Sequence, residues 1–439
     1  MKKLFQSIDI APIVVFRIFF GILFALETFG AIATGWVKAN FIDPKFTFSH
    51  IGFEWLQPLP GYGMYVYFCI MGVLSLAVAL GYRYKISITS LTILWAGTYL
   101  MQKTSYNNHY YLLMLVGIMM CFLPAHRYKS LDVKQGRVQE LEVMPNWCRW
   151  VMIAQIAIVY FFATVAKFYP DWLNGTFIKN LLSNSTPFES VNAFFSQKWF
   201  YMFISYMGII FDGLIVPALL YKRTRTLAVI ASLTFHIFNS VVLQIGIFPY
   251  FALSYAVFFY EPDKIRSVFF KSKPQAESKL IFNSTYIKSF KYFFIPYLIL
   301  QFILPLRHWF IKGDVLLTEE GHRLSWRMML RSKDGYTFFK VIDKNTNKVL
   351  KFNLNDYITD KQYGALATKP DMIWQMAQRI KKMYKDQGLD VAVYASTQVS
   401  INTGPYIKLI DETVDLASVS WDYFKHSDWV LLPEDKKEQ

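Results

Sequence analysis

The chain reads as an all-α membrane protein, a polytopic helical bundle of about nine spans, followed by a small α+β domain outside the cytoplasm. Three observations predict this. Hydrophobic residues make up 54% of the sequence and charged residues only 18%, whereas an ordinary soluble domain carries about a quarter charged residues. The apolar excess is gathered into runs of about 20 residues, long enough to cross a bilayer core of about 30 Å. After Trp309 these runs stop, and the texture becomes the mixed, alternating one of a soluble domain. The expected division is a transmembrane bundle over residues 1–310 and an extracytoplasmic domain over residues 311–439.

The predicted spans, in order, are Ala11–Thr34, Tyr62–Leu80, Ile86–Met101, Tyr110–Pro124, Trp147–Phe168, Phe200–Leu220, Leu227–Ile247, Pro249–Tyr260 and Tyr292–Trp309. The eighth is too short to cross without help from its neighbours; a re-entrant segment there would flip everything after it. In the first, Ala31-Ile32-Ala33 resembles a signal cleavage site. Arg17 and Glu27 interrupt the run, however, and it is long for a signal core, so a retained helix is expected. Both charges then face the bundle interior, because charge facing lipid is costly.

The formal charge of +15 does not point to nucleic acid. The excess sits in short loops between apolar runs, where basic residues orient helices. Alternating the loops collects Lys2-Lys3, Arg83–Lys85, Arg127–Arg137, Lys222–Arg225 and Lys264–Lys288 on one side. That side is therefore expected in the cytoplasm with the N-terminus, and nine crossings place the C-terminal domain outside, in an integral protein of the cell membrane if the source is bacterial. Cys69, Cys121 and Cys148 lie far apart, with neither metal spacing nor a disulfide framework.

Three segments carry polar residues where a membrane core predicts none. Lys103-Thr104-Ser105-Tyr106-Asn107-Asn108-His109 joins the third and fourth spans at the outer mouth of the bundle. A solvated turn needs a few polar residues, but not a lysine, two asparagines and a histidine entering an apolar helix. The fifth span closes on Ala163-Thr164-Val165-Ala166-Lys167. Two readings of Lys167 stand side by side: a snorkelling lysine beside interfacial aromatics, or a desolvated amine able to accept a proton, since burial disfavours the charged form. In the seventh span His236, Asn239, Ser240 and Gln244 fall on one helical face. One polar side chain is often helix-to-helix glue; four in a stripe point to a polar-lined cavity. His109, Lys167 and this stripe share one level, which predicts a single pocket in the outer half of the membrane. No carboxylate or third histidine joins His109 and His236 in a recognisable spacing, which argues against a metal site. No nucleotide loop or nucleophile elbow occurs.

These stretches resemble the vitamin K-dependent gamma-glutamyl carboxylase family and the wider bacterial group sharing its HTTM transmembrane domain. The resemblance rests on Phe16-Arg17, Pro58-Leu59-Pro60, the Lys103–His109 string, Val159-Tyr160-Phe161 through Lys167 to Asp171-Trp172, His236 with Asn239-Ser240, and Ile245-Gly246 before Phe248. Beyond the bundle, Ser325-Trp326 with Met328-Met329, Val399-Ser400-Ile401-Asn402, Val414-Asp415 and Trp421 also match. It implies a carbon-carbon lyase of the peptidyl-glutamate carboxylase type. Lys167 matches the base that deprotonates the quinol and His109 the family's important histidine. Lys103, Tyr106, Asn108, His236, Asn239, Ser240 and Gln244 are then expected around the quinol. The implied cofactor is reduced vitamin K or menaquinol, with O2 and CO2 as co-substrates and no metal. The implied partners are a lipid quinone and a glutamate-containing peptide or protein.

Two departures qualify the resemblance. Ala166 stands where the animal enzymes carry a second lysine, and the sequence ends at Gln439, well short of them. Part of their substrate-docking surface is thus expected to be missing, and with it the warrant for propeptide recognition. Residues from about Gly313 read as α+β: a hairpin of Tyr336–Val341 with Val349–Asn353, an amphipathic helix over Pro370–Gln387, and strands at Val391–Ile401 and Tyr406–Ile410. This domain carries no catalytic constellation and is expected to act as a lid and docking module. The competing reading is a non-catalytic lipid- or quinone-binding or transporter-like protein on the same scaffold. A transporter often shows inverted repeats; none is visible, and Lys167 and His109 are both present.

Overall fold

A computed structural model describes residues 2–183, 185–186, 188–243, 245–271, 284–328 and 330–433. Among the described residues, nine principal helices form the bundle: α1 Ala11–Ala33, α2 Gly63–Leu80, α3 Tyr84–Met101, α4 Asn108–Phe122, α5 Trp147–Ala166, α6 Lys198–Leu220, α7 Arg225–Val242, the short α8 Phe248–Ser254, and α9 Ser284–Phe310. Each of the nine predicted runs falls on one of them. Six of these helices are long and apolar enough to cross a membrane: α1, α2, α5, α6, α7 and α9. Six candidate spans by length and composition are thus shown among the described residues, and the expected count of about nine is not. The 18-residue α3 is about 27 Å long at about 1.5 Å per residue, but its serines and threonines dilute its apolarity. The 15 residues of α4 fall short of a bilayer core, and α8 with the turn after it is shorter still.

Local chemistry sets the helix ends. Asp9 accepts the Ala11 N–H at 2.8 Å and Pro12 opens the first turn of α1. Asn107 caps α4 by accepting the Tyr110 N–H at 2.8 Å, the ordinary remedy for an unpaired helix N-terminus. Gly21 lets α1 lie against α2, since a Cβ there would come within 2.5 Å of the Ala79 nitrogen. Arg17 is 1% exposed and donates to the carbonyls of Ala79, Ala125, Tyr128 and Lys129. A charge inside the first helix thereby ties the loops at one end of the bundle together. At that same end Arg266 pairs with Asp9 and donates to the Tyr128 hydroxyl at 2.8 Å. A two-stranded ribbon also lies there, β1 Ser7–Asp9 with β2 Val143–Pro145.

The C-terminal domain sits on the opposite end. Its antiparallel sheet has the order β4-β3-β5-β6, built from β3 Lys333–Asp343, β4 Val349–Leu350, β5 Val391–Ile401 and β6 Ile407–Lys408. The hairpin register pairs Val341 with Leu350. The helix α10, Pro370–Lys385, packs on β5 through Ile373, Met376 and Ile380, all fully buried. Phe46 and Phe48, from the loop between α1 and α2, complete this second core. The domain is therefore seated on the bundle: Gln362 donates to Phe46 O at 2.7 Å and Gln375 to Ser49 O at 3.1 Å.

Candidate active site

Beneath the seated domain lies a cavity of about 130 Å³ between α4, α5, α6, α7 and the start of α8. Each polar side chain in it is delivered by a helix that the apolar pattern requires. Lys167 is the C-cap of α5 and is 8% exposed. Its Nζ donates to Ala163 O at 3.2 Å, forms an ion pair with Asp212 of α6, and lies 5.1 Å from the centre of the Trp172 ring. The side chain thus turns inward rather than out to a headgroup layer. Gly208, one turn before Asp212, leaves the space: a Cβ there would stand 3.2 Å from Trp172 and 3.8 Å from Lys167 Cε.

In the same cavity, His236 of α7 is 2% exposed and its Nε2 lies 3.2 Å from the Tyr160 hydroxyl. His109, one residue into α4, stacks on Phe248 with ring centres 3.7 Å apart and planes 13° from parallel. Asn239 also lines the cavity. The structure therefore brings together Lys167, His109, His236 and Asn239, with apolar walls between them.

It does not bring in four of the described residues expected there, Ser240, Lys103, Tyr106 and Asn108. Ser240 is rotated away on α7 and donates to the Tyr250 hydroxyl at 3.3 Å. Gln244 lies outside the described residues. Lys103, Tyr106 and Asn108 point into the seam beneath the C-terminal domain, because the coil before α4 turns toward it. Lys103 pairs with Asp371 at 2.5 Å, the side chains being 1% and 3% exposed. Asp371 also accepts from Arg323 at 2.6 Å. Burial alone would raise the Asp371 carboxyl, but Arg323 and then Lys103 outweigh it and hold it well below the usual carboxylate range. The Tyr106 hydroxyl accepts the Leu324 N–H at 2.8 Å and donates to Asn108, whose amide donates to Arg327 O at 3.1 Å. Tyr106 and Asn108 anchor the segment leading to Met328, which itself lines the Lys167 cavity.

Sequence reasoning missed Asp212, Tyr160, Phe248 and Asp371. For Asp212 a signal existed: it is the lone carboxylate in the sixth apolar run, and an ionisable residue inside a span marks a site by default. Its ion pair with Lys167 is a contact that the spacing of His109 and His236 did not point to.

Such a fold and site define an integral membrane protein of mostly helical structure, with a buried cavity closed over by a small α+β domain. The sequence matches the family model of the HTTM domain over residues 5–264 and that of the vitamin K-dependent gamma-carboxylase lumenal domain over residues 286–436. The chain belongs to the vitamin K-dependent gamma-carboxylase family. No solved structure matches it.

Proposed function

We propose that this protein is a quinol-dependent γ-carboxylase of the membrane. In this reading it couples oxidation of a reduced naphthoquinone to its epoxide with carboxylation of a peptide glutamate by CO2. The observation that carries the reading is the placement of Lys167, paired with Asp212, in one apolar-walled cavity with His109 and His236. In this reading the amine, the imidazole groups and the apolar walls of the cavity hold a planar aromatic diol. When bound and oxidised by O2, the quinol supplies the strong base needed to remove the γ-proton of glutamate.

The chain's own residues do the rest. Asp212 takes the shared proton of the pair, leaving Lys167 with a free lone pair. Lys167 then accepts the proton of the nearer quinol hydroxyl and becomes an ammonium held beside Asp212. His109 and the Tyr160–His236 pair orient the far side of the ring. Met328 and the anchored segment before it keep bulk water from the reacting centre, which protects strongly basic species. The C-terminal domain presents the glutamate from the seam end, outside the cytoplasm, and the basic loops lie at the other end of the bundle.

The test is purified protein in lipid with a glutamate peptide, reduced quinone, O2 and labelled bicarbonate. The expected result is label fixed in the peptide together with quinone epoxide. Epoxide without fixed label overturns peptide glutamate as the acceptor, and neither product overturns the enzyme.

A further inference from the structure

At the end of the bundle opposite the C-terminal domain, the nine-residue helix Pro262–Phe270 lies against α1. Two of its side chains fix it there. Arg266 pairs with Asp9, and the Phe269 ring meets that of Phe19 edge-on, with centres 6.0 Å apart. Between this helix, α1 and α8 runs a groove of about 620 Å³. Its walls are largely hydrocarbon, from Phe19 and Leu23 of α1, Leu253 of α8, Val257 just after it, and Val268. Among the described residues lining it, Lys264 is the one charged side chain.

Position and charge bear on what fills it. The groove is open along the flank of α1, a helix long and apolar enough to span the bilayer. Val268 is 59% exposed and Phe269 46%, and beside a spanning helix such surface meets acyl chains rather than water. Lys264 is exposed, and its ammonium lies 5.2 Å from the centre of the Tyr260 ring. Among the described residues it has no carboxylate partner. Glu261, three residues before it, is taken by Arg225 at 3.0 Å, and the charge of Asp263 is felt at Asp9. An unpaired cation at the edge of an apolar groove complements a lipid whose headgroup carries net negative charge. Basic pockets between membrane helices bind such headgroups. A zwitterionic headgroup brings its own cation to the phosphate and gains less from the lysine.

We propose that this groove is a binding site for an anionic glycerophospholipid, with an acyl chain against Phe19, Leu23, Leu253 and Val268 and the phosphate at Lys264. The site is separate from the Lys167 cavity and does not depend on the reaction carried out there.

The test uses the unaltered protein in phosphatidylcholine vesicles that contain a small fraction of a diazirine-acyl lipid, either phosphatidylglycerol or phosphatidylcholine. After photolysis the adducts are mapped by mass spectrometry. Adducts on residues 19–23, 253–257 and 264–269 are expected. Their yield should be about fivefold higher with the phosphatidylglycerol probe, the scale of one basic residue beside an anionic headgroup. Excess unlabelled phosphatidylglycerol should suppress them. Equal yields from the two probes overturn the proposal and leave Lys264 a snorkelling lysine. Suppression by long-chain naphthoquinone but not by phosphatidylglycerol gives the groove another occupant, and adducts confined to other surfaces remove the site. In Lys264→Gln the phosphatidylglycerol yield should fall to that of phosphatidylcholine, while Lys264→Arg should keep the excess. A preference that survives Lys264→Gln overturns the role of the lysine. The lysine side chain is exposed, so the fold is not at stake in either variant.

Discussion

Lys167 and Asp212 form an ion pair between α5 and α6 with side chains only 10% and 7% exposed. Two opposite charges withdrawn from water hold each other in place. Removing one leaves an uncompensated buried group, at a typical cost of about 3–5 kcal/mol. The pair therefore ties α6 to α5 and, in the proposed mechanism, takes part in the cavity chemistry; variants of its two members separate these roles.

For Lys167, replacement by alanine should abolish quinone epoxide formation. Positioned general bases contribute about 10²–10⁴ in rate, so the loss is large enough to measure directly. A small exogenous amine should restore part of it by entering the vacated space. Lys167→Arg should not rescue, because a guanidinium stays protonated. Full epoxidation by Lys167→Arg would make the lysine an electrostatic anchor and move the base to His109.

Asp212→Asn keeps the shape of the side chain but cannot accept the lysine's proton. Epoxidation should fall by at least about tenfold, within the range of general acid–base contributions, and the pH–rate profile should change shape. A purely structural Asp212 would instead lower the yield of folded protein and leave the profile of the surviving fraction unaltered. Rates at several pH values, normalised to folded protein by size-exclusion, distinguish the two.

In the seam, Asp371 is the carboxylate shared by Lys103 and Arg323. Its folded-state carboxyl is held below its unfolded value, which is about 3.9. It therefore contributes stability that is present above about pH 3.9 and is lost as pH falls through the lower folded value. Docking of the C-terminal domain should survive mild acidification to about pH 5 in the unaltered protein. Asp371→Ala should lower stability by roughly 3–5 kcal/mol at neutral pH, leaving the buried Lys103 and the partly buried Arg323 without their shared carboxylate. Thermal unfolding and limited proteolysis of residues 34–62 read both effects. A variant that melts with the parent would show that the seam is held by its apolar contacts alone.

Orientation is open to a direct check. The basic loops tied together by Arg17 and Arg266 lie at the end of the bundle opposite the C-terminal domain. If basic loops face the cytoplasm, a periplasm-dependent reporter fused after Gln439 should be active and a cytoplasm-dependent one silent. The reverse pattern would place the Lys167 cavity toward the cytoplasm and exclude an extracytoplasmic glutamate substrate.

What the amino-acid sequence determined by itself was local. Apolar run length and loop charge marked all nine bundle helices, and a period near 3.6 marked α10 to within two residues of its end. The hairpin around Asp343 was legible from its turn residues. Lys167, His109, His236 and Asn239 stood out because a polar group costs free energy in an apolar run and persists there where it serves a site. Tertiary structure alone decided which of these groups meet. Asp212 reaches Lys167 only because α6 packs on α5 with a glycine at the crossing, a fact of surface shape that no spacing encodes. Lys103 belongs to Asp371, 268 residues away, because the coil before α4 turns its side chains toward a domain that must first fold and dock. Ser240 shares a helical face with His236 on paper, but the packing of α7 against α6 and α8 leaves it bonded to Tyr250 instead. Periodicity gives a helix its faces; the neighbours that bury those faces choose which one looks into the cavity.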